Sequence, residues 1–385
     1  MRRLRIKNLG PIQDASLDLG QVNIIIGQQS SGKSCVLKTA CYCAWVEKRI
    51  EITQCTAPFD DGSSFISIMS AYYNMSGYIK SDSYIEYETS HLKFSYDNSN
   101  KTFKMSWKSG RWNYKRPKVS YVPADRNLVA AIPGWSSLPL DENLLEFMSN
   151  WDKARKFIGK EENILGLGMS YIYDKQSNAD KIQLKDGKPL MLKESSSGIQ
   201  SLFPMFVHLD YMTNGQYEEE NARFSYEQKE ERKKILEILH DKFSKSMSSL
   251  PNSEKTMVDG VEFRFQNKKY ADNFQRKYQQ YSTVDHSEIF LEEPEDNLFP
   301  PTQCQLVNWL VEAIKKHDDI LFVATHSPYI LNQFIKDDPK GLTVFFTHRV
   351  NNDSQLYSVR QLNKEEIREI YDNGVDMFFN FEAYV

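Results

Sequence analysis

Gly27-Gln28-Gln29-Ser30-Ser31-Gly32-Lys33-Ser34 fills every fixed position of the pattern G-x-x-x-x-G-K-[ST]. The residues before it, Val22 to Ile26, are apolar except Asn23, which predicts a buried central strand, and those from Lys33 to about Arg49 favour a helix. A Gly/Ser loop between a buried strand and a helix suits phosphate chemistry. Glycines let backbone N–H groups turn towards the phosphates, and the helix N-terminus favours their charge. Lys33 reaches the β and γ oxygens, and the Ser34 hydroxyl ligates Mg²⁺. The phosphate-binding segment extends to Cys35. The stretch by itself predicts a nucleoside triphosphate site in an α/β protein.

Three later motifs bear on that site. Ile289-Phe290-Leu291-Glu292-Glu293-Pro294 is an apolar strand delivering two carboxylates at its end. Adjacent side chains on a strand point different ways, so the pair can divide roles. Glu292 would act on Mg²⁺ through water, and Glu293 would polarise the attacking water. Standing alone, such a pair reads as a solvated turn. The apolar run Ile320 to Ala324 leads into Thr325-His326-Ser327-Pro328, where His326 can sense a γ-phosphate or serve a structural purpose. Ser195 to Gln200 (Ser-Ser-Ser-Gly-Ile-Gln) precedes an apolar helix and offers hydroxyls and a helix N-terminus, although most Ser/Gly runs are loops.

The chain has 385 residues, enough for one large core or two modest ones. Its 48 Lys+Arg against 52 Asp+Glu give a net charge of -4, so no global basic balance points to nucleic acid or anionic lipid. Cys35, Cys41, Cys43, Cys55 and Cys304 show no paired metal spacing and read as reduced thiols used in packing. The N-terminus has no apolar h-region, and no stretch of about eighteen apolar residues occurs, so a soluble cytoplasmic protein without membrane contact is expected. From Ser64 to Lys118 alternating aromatic stretches predict antiparallel hairpins, with a turn at Asp97 to Asn100. Val119 to Val122 predicts another strand, ended by Pro123. Residues 141 to 159 predict an amphipathic helix behind an Asp141 cap, and short strands at 170–173 and 181–184 with a turn at Asp186-Gly187 lead to a helix from about Ser201 to Met212. Asn214 to Asp285 is charged and Tyr-rich. It reads as an insertion with one helical stripe (Ile235, Leu236, Leu239, Phe243) and one strand (Val261, Phe263, Phe265).

The order of the motifs resembles that of the ABC-type P-loop ATPases of the SMC, RecF and OLD group, often called AAA-family ATPases. Gly27 to Ser34 corresponds to Walker A, and Ser197-Gly198-Ile199-Gln200 to a degenerate LSGGQ signature. Glu292-Glu293-Pro294-Glu295 corresponds to Walker B, Asp296 to Pro300 to the D-loop region, and His326 to the switch histidine. The resemblance implies an ABC-type ATPase head over 1–385, with a mainly parallel core sheet. Within it lie an antiparallel β part at 51–122, a helical signature part at 137–212, the 214–285 insertion, and a Walker B and switch-histidine half at 286–385. ATP and Mg²⁺ are the implied cofactors. In that family the signature of one protomer completes the site of another, so Ser197 and Gly198 would meet the γ-phosphate in trans, with Gln200 beside them. No glutamine follows Tyr121-Val122-Pro123-Ala124-Asp125-Arg126, where similar proteins place a Q-loop, and Arg126 is the substitute as a phosphate or interface group, or else a surface salt-bridge residue. About sixty residues follow His326, too few for the TOPRIM nuclease domain of OLD relatives, and no SMC-length coiled coil is present. The resemblance therefore implies a dimerising ATPase that regulates a separate effector such as a nuclease, as in bacterial phage defence. A DNA-repair or chromosome-maintenance ATPase on duplex DNA and a nucleotide switch with little turnover are the alternatives. The insertion, with Lys229, Arg232, Lys233, Lys234, Arg264, Lys268, Lys269, Arg276 and Lys277 among its acids, is either a partner or nucleic-acid surface or a solvated decoration.

Overall fold

Residues 2–132, 140–161, 163–185, 187–219, 226–244, 254–265, 267–351 and 355–374 are described by a computed structural model. Asp186 of the expected turn and the side chain of Phe243 lie outside what is described. Arg2–Leu9 (β1) and Ile12–Leu19 (β2) pair as an antiparallel hairpin, and Val22–Gly27 (β3) follows, buried at all six positions. Lys33–Thr53 (α1) leaves the loop after β3 and packs along the sheet. It is buried on more than one side, which is why Cys41 and Cys43, two residues apart, are both interior.

Ser64–Tyr73 (α2) is a helix where antiparallel strands were expected. Its Phe65, Ile66, Met69 and Tyr73 recur at helical spacing and are buried, so the one-sided apolar stripe outweighs the β propensity of its aromatics. The antiparallel strands begin later, at Ile79–Glu88 (β4), Leu92–Asp97 (β5) and Thr102–Trp107 (β6), followed by Pro117–Val122 (β7) and the single turn Leu128–Ala131 (α3). Glu142–Ile158 (α4) starts behind Asp141, which has the extended backbone of a cap and makes no side-chain cap bond. Lys160–Glu161 (β8), Met169–Asp174 (β9), Ala179–Leu184 (β10) and Leu190–Met191 (β11) form a separate four-stranded sheet. Ser197–Asp210 (α5) begins four residues before the expected start, so the Ser-Gly-Ile-Gln segment is its first turn.

After the short Gln216–Glu219 (α6), the insertion folds as Tyr226–Ser244 (α7), the hairpin Glu254–Val258 (β12) and Val261–Phe265 (β13), and Lys268–Ser282 (α8). It has a core of its own, in which Ile235, Leu236, Leu239, Phe263, Phe265, Phe274 and Tyr278 meet Tyr114 and Tyr281. The Tyr281 hydroxyl donates to Glu51 at 3.2 Å, near the far end of α1 from the loop. A 21-residue helix spans about 30 Å, so the insertion docks that far along α1 from its N-terminus. Arg232 pairs with Asp259 at 3.0 Å and Arg264 with Glu262 at 3.5 Å, which ties these two cations within the insertion.

The last part comprises His286–Glu292 (β14), Pro300–Lys315 (α9), Ile320–Thr325 (β15), Pro328–Asp337 (α10), Leu342–Arg349 (β16), Tyr357–Gln361 (β17) and Lys364–Asn373 (α11). The principal sheet has eleven strands in the order β6-β5-β4-β1-β2-β17-β16-β3-β15-β14-β7. Strands β16, β3, β15, β14 and β7 are parallel to one another, while β6 to β2 form an antiparallel wing on the same sheet. The fold is α/β with a mainly parallel core. Side chains of β3 alternate between two cores: Ile24 and Ile26 join the side holding α5, α9 and α10, and Ile25 joins the side holding α1 and α2. Among the described residues no helix is long and apolar enough to cross a membrane.

One buried charge ties the first strand to the centre. Glu288 is 1 % exposed and accepts from Arg2 Nη2 at 2.6 Å, with His286 Nε2 at 3.5 Å. Burial alone would raise the Glu288 carboxyl, but Arg2 and His286 hold it down at about 2. Burial works against the His286 cation too, yet Asp285 and Glu288 lift it to about 9. Stability from Glu288 is present above its ordinary pKa near 4.5 and is lost as pH falls towards 2. Stability from His286 is present below 6.5 and is lost as pH rises through 9, so the two overlap fully between these limits. Arg2→Ala should lower unfolding free energy by about 3 kcal/mol and flatten the acid limb of stability against pH, measured by urea denaturation. An unchanged acid limb would show that Arg2 does not hold Glu288.

Candidate active site

The carboxyl ends of the parallel strands meet at one edge, where ligands of open α/β sheets bind. Register fixes the meeting point. Thr325 pairs with Ile26, Thr347 with Gly27, and Ala324 with Glu292. The loop after β3 is therefore flanked by the ends of β15 and β16, with the loop after β14 next beyond that of β15.

The loop itself is close-packed inward and open outward. Gly27 has φ 151°, and a Cβ there would lie 1.8 Å from Thr347 Oγ1. Gly32 has φ 92°, and a Cβ would lie 2.6 Å from Ile12 Cδ1. Both positions need glycine. Ser31 turns inward, its Oγ 2.6 Å from Thr347 Oγ1, whereas Gln28, Gln29 and Ser30 are exposed. Cys35 is also inward, its thiol donating to Leu9 O at 3.6 Å and pushed up to about 12 by burial, so only its backbone faces the loop chemistry. Lys33 is 5 % exposed and its Nζ donates to Gly27 O at 3.1 Å and Gln28 O at 2.8 Å. Burial lowers its pKa, opposed by the nearby carboxylates Glu293, Glu295 and Glu292. Its ammonium is held over the loop by two carbonyls, a hold that anionic oxygens can replace.

The two acids at the end of β14 separate because the strand ends between them. Glu292 is 8 % exposed and accepts a hydrogen bond from the Tyr121 hydroxyl on β7. Glu293 lies beyond the strand with φ 44°, a left-handed conformation costing about 1 kcal/mol for a residue with a side chain. Its N–H donates to Ala324 O at 2.9 Å. Arg126 holds the same turn from the other side. Its Nη1 donates to Glu292 O at 2.9 Å and its Nη2 to Glu293 O at 2.8 Å, with Pro123 O at 3.3 Å from Nη1. Arg126 is 0 % exposed, which corrects the surface salt-bridge reading. Its fork is committed to backbone carbonyls, so its work in this conformation is to shape the acidic turn rather than to face a phosphate.

His326 stands at the end of β15, its side chain half exposed, with Nδ1 3.3 Å from Glu295 Oε1 and 3.7 Å from Glu293 Oε1. Its backbone N–H donates to the same Glu295 oxygen at 2.8 Å, while Glu295 Oε2 is buried without a hydrogen-bond partner among the described residues. The next residue, Ser327, caps α10 by accepting from Tyr329 N and Ile330 N and donates to Gln303 at 2.6 Å, which fixes the turn. The contact with His326 lowers the Glu293 pKa, and Glu293 in return raises that of His326.

Ser197 and Ser196 are exposed at the start of α5. Gly198 lies against the acidic segment of its own chain, since a Cβ there would meet Asn297 O at 2.8 Å. Gln200 turns back, its Nε2 donating to Lys193 O at 3.0 Å and Ser195 O at 2.8 Å, and so braces the preceding loop. Three contributors had no assigned role in the sequence: Tyr121, Glu295 and Thr347. Glu295 carried a signal as the third acid after the strand. Thr347 carried none, because its place opposite Gly27 comes from strand pairing alone.

No protein-family model and no curated protein matches the chain. Among solved structures it is similar to the SMC head domain from Thermotoga maritima, at 10% identity and TM-score 0.44 over 94% of this chain and 98% of that one. It is also similar to an SMC head bound to the C-winged helix domain of ScpA, at 8% identity and TM-score 0.42 over 95% and 98%. A third likeness is to an ATP-binding cassette of an ABC transporter in its ADP conformation, at 11% identity and TM-score 0.32 over 99% of each chain.

His326 should titrate above its ordinary 6.5, because protonation is favoured by Glu293 and Glu295. In Glu293→Gln its midpoint should fall towards 6.5, read by NMR of labelled histidine. An unchanged midpoint would show that Glu293 does not act on the imidazole.

Proposed function

We propose that this chain binds ATP with Mg²⁺ and hydrolyses it as a dimerising ABC-type ATPase, each copy supplying complementary halves of two sites. The observation that carries the reading is the convergence of Lys33, Glu292, Glu293 and His326 at one sheet edge. Glu293 and His326 there have side chains 32 % and 50 % exposed, open on one side.

Each residue has a task that follows from its surroundings. Backbone N–H groups of Gly27 to Cys35 cradle the phosphates, and Lys33 exchanges its two carbonyls for phosphate oxygens. Ser34 and Glu292 offer the hard oxygen donors that suit Mg²⁺, which when bound neutralises charge on the β and γ oxygens. Tyr121 keeps Glu292 oriented. Glu293, ionised beside His326, orients a water and draws off its proton. Arg126 and Glu295 hold these two groups at working distance.

The missing wall is assigned to the first turn of α5 in a second copy. Ser196 and Ser197 present hydroxyls at a helix N-terminus, which favours anions. Phe299, two residues beyond the Asn297 that meets Gly198, is 76 % exposed and would lie in the surface that such pairing covers. We further propose that nucleotide-driven pairing governs a separate partner effector, in line with phage-defence ATPases.

Mixing Lys33→Ala with Ser197→Arg protomers tests the composite site. Each variant alone should be nearly inactive. The equimolar mixture should recover about a quarter of native turnover, because half the dimers are mixed and each of those has one intact site. No recovery, with both variants folded and dimerising, would refute completion in trans.

A further inference from the structure

Between α1, α2, β7 and the start of α4 lies a cavity of about 270 Å³. Its inner wall is made of the rings of Tyr42, Tyr73 and Tyr121, beside the buried thiol of Cys41. The polar end of each is already engaged. The Tyr42 hydroxyl donates to Phe65 O at 2.6 Å, the Tyr73 hydroxyl pairs with Cys41, and the Tyr121 hydroxyl donates to Glu292. The interior therefore offers ring surface and needs an apolar occupant.

The rim has the opposite character. Glu142 and Glu146, four residues apart on α4, both line the cavity and are exposed, and Trp45 lies beside them at 38 % exposure. Burial raises the Glu146 carboxyl and Lys48 opposes that shift, while Glu142 adds a second carboxyl at the mouth. Aromatic walls with a carboxylate at the mouth favour a cation. A cavity of about 150 Å³ takes a benzene ring, so this one has room for a ring with a short chain.

We propose that the cavity binds a small organic cation, an aromatic body bearing an ammonium group, with the ring inside and the ammonium at Glu142 and Glu146. Its occupant also reaches the acidic turn, because Tyr121 is at once a wall of the cavity and the donor to Glu292. Occupancy thereby acts on nucleotide turnover, a consequence that rests on the role proposed for Glu292.

The binding test is calorimetric titration of the nucleotide-free full chain with phenethylamine, against phenylacetate, which has a similar body and the opposite charge. Phenethylamine should saturate one site and bind at least about tenfold more tightly than phenylacetate. The double variant Glu142→Gln, Glu146→Gln changes only exposed side chains and should lose about tenfold in amine affinity. Equal binding of phenylacetate, an unaffected double variant, or no saturation by about 10 mM overturns the site. Because nucleotide is absent, these results do not depend on ATPase activity. Phenethylamine should change ATP turnover of the native chain and not of Tyr121→Phe, which keeps the ring and lacks the donor. An equal response in both, or none in the native chain, overturns the coupling.

Discussion

The parallel register of β14, β15, β3 and β16 is the constraint on which the rest depends. It brings Glu292, Thr325, Gly27 and Thr347 to one edge, so four loops distant in sequence share one site. A parallel sheet must be covered on both faces, and the alternation of Ile24, Ile25 and Ile26 between two cores meets that demand. A one-residue slip of β3 would send these side chains to the wrong cores and move the loop away from its flanking acids.

A second layer of control lies in how the acidic turn is held. Glu293 occupies a left-handed conformation that a residue with a side chain does not adopt freely. Arg126 from the β7 loop and the carbonyl of Ala324 from β15 fasten it from two sides. Tyr121, on the same β7 strand, fastens Glu292. Strand β7 and the loop after it thus supply two of these three restraints, which makes β7 a route by which events elsewhere can reach the site.

Local patterns revealed what is local. The buried β3, the loop, the onset of α1 and the paired acids after β14 each declare themselves in a few consecutive residues. The burial of Arg126, which rules out a surface salt bridge, depends on β7 lying beside β14, a long-range fact. The earlier start of α5 was hidden by the Ser/Gly composition of its first turn, although Ser196 takes the extended conformation of a cap. Helix α8 went unread because Lys, Gln and Asn surround its stripe of Ala271, Phe274, Tyr278 and Tyr281. Strand β17 carries no motif, and helix α10 shows only its start, the cap Ser327 followed by Pro328. Their positions follow from the sheet, where β17 joins the antiparallel wing to the parallel core.

If this sheet edge is half of a site, nucleotide brings two halves together. Sedimentation velocity of Glu293→Gln, with and without ATP and Mg²⁺, tests it most directly, because slowed hydrolysis should preserve the paired state. A shift to a dimer of about twice the chain mass is expected with ATP, reversed when nucleotide is removed and absent in Lys33→Ala. A mass unchanged by ATP at concentrations that saturate binding would contradict it.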